Sequence, residues 1–172
     1  MIILPGEDDP STPSTARGRP IGAEYFDISQ KIAFMDAHGI DISVISLANP
    51  WLDFLSREEA PAIAVEINDD INDMCEHYPG RLFAFGTLPL RAGKRACVNE
   101  VRRLKGMKWM RGVVLGTGGM GEGMDDTRME EVYTTLEGEE MPVFLHPHYG
   151  LPTEVYGPRA GEYGHALPLA MG

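Results

Sequence analysis

The run Met141-Pro142-Val143-Phe144-Leu145-His146-Pro147-His148-Tyr149-Gly150 constrains this 172-residue chain more than any other stretch. Apolar residues lead directly into His-Pro-His. An unbroken apolar run bounded by Pro and Gly predicts a strand buried on both faces, as in a parallel sheet. Pro147 has no amide hydrogen for a central ladder, so the strand is predicted to stop at His146. An imidazole then stands at the carboxyl end of a buried parallel strand. In α/β folds that is the edge where ligands and metals gather.

The rest of the chain reads as scaffolding for that edge. Pro5, Pro10, Pro13 and Pro20 make residues 1–22 an irregular segment. Tyr25 to His38 reads as a helix, with Ile28, Ile32 and Met35 at helical spacing and Gly39 as its stop. The β-branched run Ile42–Leu47 predicts a strand, ended by Ala48-Asn49-Pro50-Trp51. Pro50 pushes Asn49 to extended geometry there. Ser56 and Glu59 form a capping-box pattern at the start of a long helix. Its apolar stripe is Ala60, Ile63, Ala64, Ile67, Ile71, Met74, Cys75 and Tyr78. Leu82–Leu88 is a second strand. A helix over Lys94–Leu104 follows, and the cations Arg102, Arg103, Lys105, Lys108 and Arg111 read as a solvated face at its end. Gly112–Leu115 is a third strand, then come a glycine-rich loop and a helix over Asp125–Glu139.

Strand starts near residues 42, 82, 111 and 142 are spaced as βα units require. Right-handed crossovers then give a parallel sheet. A closed (β/α)8 barrel takes about 250 residues. The first helix has no strand before it and the last strand no helix after it, so both ends look cut. The fold class is α/β, with residues 23–172 as one domain, and either an open sheet or an incomplete barrel fits the order.

A net charge of -11 argues against nucleic acid and anionic membranes as partners. No apolar run reaches membrane-span length. The start lacks a basic region followed by a long apolar one, as a secretory signal would have, so a cytoplasmic location is expected. Cys75 and Cys97 are expected to be reduced.

His146 and His148 are the strongest candidates for chemistry. His-X-His at a strand end can aim two imidazoles at a metal, although a catalytic metal needs about three protein ligands. Two surface loop histidines are the plainer alternative. His38 and His77 fall at helix ends, where they suit the helix dipole. Gly116-Thr-Gly118-Gly-Met-Gly121 matches G-x-G-x-x-G after a strand, which leaves a dinucleotide-binding oxidoreductase as a rival reading. Against it, the helix starts several residues late, and Glu122, Asp125 and Asp126 would repel a pyrophosphate. Arg19 and Asn49 are ambiguous alone: each is a common surface or turn residue, and each can recognise a planar carboxylate or amide.

Several segments resemble a known family. Lys31–Ile40, Val44-Ile-Ser-Leu-Ala-Asn-Pro-Trp51, Gly80–Phe85 and Val143-Phe-Leu-His-Pro-His148 look like the amidohydrolase-superfamily decarboxylases, the group of aminocarboxymuconate-semialdehyde decarboxylase. The tail His146-Pro-His-Tyr-Gly-Leu-Pro-Thr-Glu-Val-Tyr-Gly-Pro-Arg159 is similar to that of the fungal uracil-5-carboxylate (isoorotate) decarboxylases. The resemblance implies a metal-dependent (β/α)8 barrel that holds zinc or another divalent metal such as manganese. It implies a small-molecule carboxylate substrate and a homo-oligomer for a complete protein. The four strands become the second to fifth of the barrel. His146 takes the place of the fifth-strand metal ligand. Arg19 matches a substrate-holding arginine, and Asn49 an asparagine that bonds the pyrimidine ring. Decarboxylation would run by metal chelation of the carboxylate and ring oxygen, with an aspartic acid protonating the ring carbon. This chain lacks the family's first-strand His-X-His, sixth-strand His and eighth-strand Asp. It is therefore expected to be an incomplete form with weak or no activity, or an inert interaction module, and no catalytic residue is assigned.

Overall fold

The computed structural model describes residues 26–48 and 51–146. Residues 1–22, expected to be irregular, lie outside them. The chain divides into two compact units, Met1–Ser43 and Val44–Gly172. The described part of the first is chiefly helix α1 (Ile28–Ala37). It opens at Ile28 because the Asp27 carboxylate accepts the Ser29 amide at 2.9 Å. It closes at Gly39, which takes a left-handed φ of 65°.

The second unit carries the sheet. Its elements run β1 (Ser43–Ser46), α2 (Ala60–Glu76), β2 (Leu82–Thr87), α3 (Lys94–Lys105), β3 (Met110–Gly116), α4 (Glu130–Gly138) and β4 (Val143–His146). The spatial order is β1-β2-β3-β4, the same as the chain order. β2 with β3 and β3 with β4 are parallel. A helix between each pair makes this the repeating βα unit of a barrel, half of one by strand count.

The predicted capping box forms. The Glu59 amide donates to Ser56 Oγ and the Ser56 amide to Glu59 Oε2, both at 3.2 Å. The fourth predicted helix is shorter than its pattern. Asp126 caps a single 3-10 turn, Thr127–Met129, and α4 proper starts at Glu130.

Two glycines shape the sheet. On its helical side, a Cβ at Gly86 would lie 2.6 Å from Leu104 Cδ1, so α3 packs tightly onto β2 only because that side chain is missing. On the other face, the β2–β3 register shifts between Ala84↔Met110 and Phe85↔Gly112, which makes Arg111 the extra residue of a bulge. A Cβ at Gly112 would sit 2.2 Å from the Pro142 carbonyl oxygen. With nothing standing on Gly112, Phe85 of β2 stacks on Phe144 of β4 at 5.6 Å between ring centroids. Strands two places apart in a flat sheet are separated by about 9.6 Å. That stack therefore marks a sheet curled inward over Gly112, as a half-barrel must be.

The helical side of the sheet holds one buried polar network that the apolar stripe does not foretell. Asn68 of α2 is fully buried. Its amide acts as a short strand partner for β2: Nδ2 donates to the Thr87 carbonyl and Oδ1 accepts the Thr87 amide, both at 2.9 Å. Nδ2 also donates to Glu100 Oε1 of α3 at 2.7 Å. Arg103 closes the network, with Nε and Nη2 on the Glu100 carboxylate and Nη1 on Asp69 at 2.5 Å. Hydrogen bonds from Glu100 foremost, then Asp69, hold the Arg103 guanidinium charged more firmly than usual.

The predicted solvated basic face holds for Arg102, Lys105, Lys108 and Arg111, which are exposed, and needs correcting for Arg103, which is half-buried. Arg103 is drawn into that network, Lys105 Nζ donates to the Glu139 carbonyl, and Lys108 and Arg111 lie over the rings of Trp109 and Phe83 at 4.6 and 4.1 Å. The exposed cations lie along a carbonyl or an aromatic face while their charges stay in water, and Arg103 alone is drawn inward, by the two carboxylates. The predicted burial of β4 on both faces also fails among the described residues. Val143, Phe144 and Leu145 are 42%, 45% and 50% exposed. β4 is the edge of the sheet, paired with β3 alone. Its apolar pattern matches a strand with neighbours on every side, and the described residues supply only some of them.

Asn68→Ala is expected to cost about 2–4 kcal/mol, because it strands both the buried Thr87 amide and part of the Glu100 carboxylate. The exposed Glu66→Ala on the same helix should stay within about 0.5 kcal/mol. Urea unfolding monitored by circular dichroism measures both. Gly112→Ala should lower stability by about 1–3 kcal/mol through the clash with the Pro142 carbonyl.

Candidate active site

The carboxyl ends of β1 to β4 form one rim, and His146 is the last residue of β4. The register fixes its face. Gly86, crowded by α3, pairs with Val113, and Val113 with Val143. These residues look toward the helices. The alternate set, Phe85, Val114, Phe144 and His146, looks to the inner face. The Phe85–Phe144 stack and the 6.1 Å Phe144–His146 ring contact agree with that assignment. His146 pairs with Gly116, and its carbonyl accepts the Thr117 amide at 3.1 Å, which holds the strand in register up to its last residue.

A residue that the sequence reading left as a strand terminator stands against this imidazole. Trp51 follows β1, at the opposite edge of the sheet, yet its ring lies 5.5 Å from that of His146 at an interplanar angle of 84°. Three strand spacings in a flat sheet would put these edges about 14 Å apart. The curl brings Trp51 to the end of β4. Trp51 is 7% exposed and holds φ at 50°, an uncommon conformation for a bulky residue. Its amide donates to the Ala48 carbonyl at 2.9 Å. The Asn-Pro-Trp sequence signalled a turn, but nothing local told where the indole would land.

Arg19, Asn49 and His148 lie outside the described residues. Among the described residues no group of three or more His, Cys, Asp or Glu is placed to hold a metal ion. His38 and His77 do what helix-end histidines do: Nδ1 of each lies within 2.8 Å of a carbonyl one turn back, Phe34 and Asp73 respectively. By chemistry His146 suits a metal, but it is one donor.

The glycine loop does not form a phosphate cradle. The Gly119 amide donates to the Gly116 carbonyl, and those of Gly121 and Gly123 both donate to Gly118. Amides spent inside the loop have nothing left for a pyrophosphate. Gly119 must be glycine, because with φ at 53° a Cβ would meet the Gly123 carbonyl oxygen at 2.2 Å. Downstream, Arg128 grips Asp126 through Nε and Nη2, and Tyr133 donates to the Met124 carbonyl at 2.7 Å. The Arg128 hydrogen bonds hold the Asp126 carboxyl below its ordinary range. Cys75 and Cys97 are free and buried, and burial pushes their thiols up to about 11 and about 12. No helix among the described residues is long and apolar enough to cross a membrane.

No family model matches the chain. Among solved structures it is similar to the apo IDCase (isoorotate decarboxylase) of Metarhizium anisopliae, with 52% identity and a TM-score of 0.81 over 96% of this chain and 43% of that one. Among curated proteins it is similar to the gamma-resorcylate decarboxylase of Rhizobium radiobacter, 28% identical over 130 residues, 72% of this chain and 40% of that protein. A 5-carboxyvanillate decarboxylase from Novosphingobium aromaticivorans, solved with bound manganese, shares the fold at 23% identity and a TM-score of 0.69, over 81% of this chain and 40% of that one. The chain thus spans less than half the length of each.

Two measurements check the electrostatics. Asp126, depressed in the folded state, adds stability that is fully present above its ordinary value of 3.8 and is lost as pH falls through its lower folded value. The Tm gap between wild type and Asp126→Asn should therefore narrow below pH 3.8. Both thiols should resist a thiol-specific reagent at pH 7 in the folded protein and react only after unfolding, because neutral buried thiols are poor nucleophiles.

Proposed function

We infer, from a half-barrel whose relatives are amidohydrolase-fold decarboxylases, that these residues form part of a metal-dependent carboxy-lyase. The substrate is uracil-5-carboxylate (isoorotate) or a related cyclic unsaturated acid. The observation that carries this reading is the 52% identity to IDCase along 96% of the chain, with His146 on the inner face at the carboxyl rim. That rim is where (β/α)8 enzymes place their chemistry.

In this reading His146 is one ligand of a divalent metal, zinc or manganese, and the manganese in the 5-carboxyvanillate decarboxylase supports a metal of that type. Arg19 holds the substrate carboxylate and Asn49 bonds the ring. The metal would supply a Lewis acid and an orienting template. The described residues alone do not fit it, because a catalytic metal takes about three protein donors and they offer one. What these residues contribute is a rim: a strand end locked by the Thr117 amide, and two aromatic rings set against the imidazole. The acidic charge and a small carboxylate partner are compatible with a cytoplasmic enzyme that forms a homo-oligomer when complete.

A second reading, an inactive interaction module, is favoured by the exposed apolar edge at Val143–Leu145. Carbon dioxide release from uracil-5-carboxylate, with zinc or manganese added, separates the two. Turnover that falls on the order of 100-fold in His146→Ala, with parallel loss of bound metal, supports the enzyme. A His146→Ala protein with undiminished metal and activity overturns the assignment of His146. No turnover under either metal leaves the interaction module.

A further inference from the structure

The pairing of Trp51 with His146 is a feature that neither the sheet nor the expected chemistry requires. A strand terminator after β1 can be almost any residue, and a turn there needs no indole. Here a large side chain is held almost out of water, on a backbone at φ 50°, in contact with a residue from the far edge of the sheet. Left-handed backbone at a bulky residue costs free energy and persists where the surroundings over-determine it, often at functional sites. What surrounds Trp51 here includes the imidazole of His146, met nearly at right angles. Perpendicular ring pairs are attractive and directional, because the positive edge of one ring meets the negative face of the other.

We propose that Trp51 is a positioning residue whose indole sets the orientation of the His146 imidazole on the inner face of the sheet. The imidazole also meets Phe144, 6.1 Å away at 73°. Two rings at steep angles leave the imidazole few rotations about its own Cβ–Cγ bond, whereas the backbone bond from Thr117 fixes only where the strand ends. Trp51 thus acts through His146. It carries the influence of the backbone at Trp51 to the end of β4. A change in that backbone would reorient the imidazole without touching it covalently. The importance of that orientation rests on the function proposed above, but the contact itself does not.

The test uses the 172-residue chain without metal or substrate, so its failure is distinct from failure of the decarboxylase reading. The ring proton and carbon resonances of His146, identified by their loss in His146→Gln, are compared at one pH in wild type, Trp51→Phe and Trp51→Ala. A perpendicular indole at this distance displaces those resonances through its ring current. Trp51→Ala should abolish the displacement and add rotational averaging, and Trp51→Phe should restore part of both. A role confined to stability would lower the Tm and remove the ring-current displacement in Trp51→Ala yet add no rotational averaging of the imidazole, and that result overturns the proposal. Should Trp51→Ala fail to fold, the reciprocal measurement decides. Trp51 and Trp109 are the two tryptophans, so Trp109→Phe isolates the Trp51 indole signal. That signal should shift on His146→Gln, and an unmoved signal overturns the proposal.

Discussion

The primary amide of Asn68 carries the part of this fold that its apolar contacts cannot specify. A parallel strand that leaves its sheet exposes an amide and a carbonyl just where the chain must turn toward the next helix. At Thr87 both are buried, and one side chain from α2 satisfies both. The same amide reaches Glu100, whose charge would be ruinous in that position without Arg103. Two helices and a strand are thereby locked to one another in a single relative position. Hydrophobic burial favours contact but tolerates sliding, whereas this network has one solution.

The glycines do complementary work. Gly86 lets a helix come close on one face, and Gly112 lets rings meet on the other. The first sets the distance between the layers, and the second lets the sheet bend. With the bulge at Arg111 they turn four parallel strands into an arc. The arc is what allows a residue after the first strand to touch a residue at the end of the fourth.

Much of this was legible in the residues. Strand spacing gave the parallel order, Ser56 and Glu59 gave a capping box that forms, and Pro147 marked the end of β4 beside an imidazole on the inner face. Three features were not legible, each for a physical reason. Asn68 sits among apolar neighbours at helical spacing, and a polar residue there looks like a surface position until its partners, 19 and 32 residues away, are known. Arg103 belongs to a basic run that is otherwise exposed, and only tertiary contacts show that it turns to Glu100 and Asp69. Trp51 punctuated a strand, and its partner lies at the other edge of a sheet whose curvature no local pattern encodes. The apolar run at β4 described an environment wider than the described residues provide, so its burial was misread while its direction was read correctly.

The turn between Gly116 and Gly123 folds largely on itself: the amides of Gly119, Gly121 and Gly123 are answered by its own carbonyls, and Gly119 and Gly123 pair as a miniature bridge. It asks little of the strand that precedes it. Such a self-sufficient loop is a natural place for variation. Beyond Thr117, whose amide holds β4, and Gly119, its side chains can be rewritten during divergence, or replaced by design, while β3 and α4 keep their positions. A rim built from segments of this kind can acquire new specificities without renegotiating the scaffold beneath it.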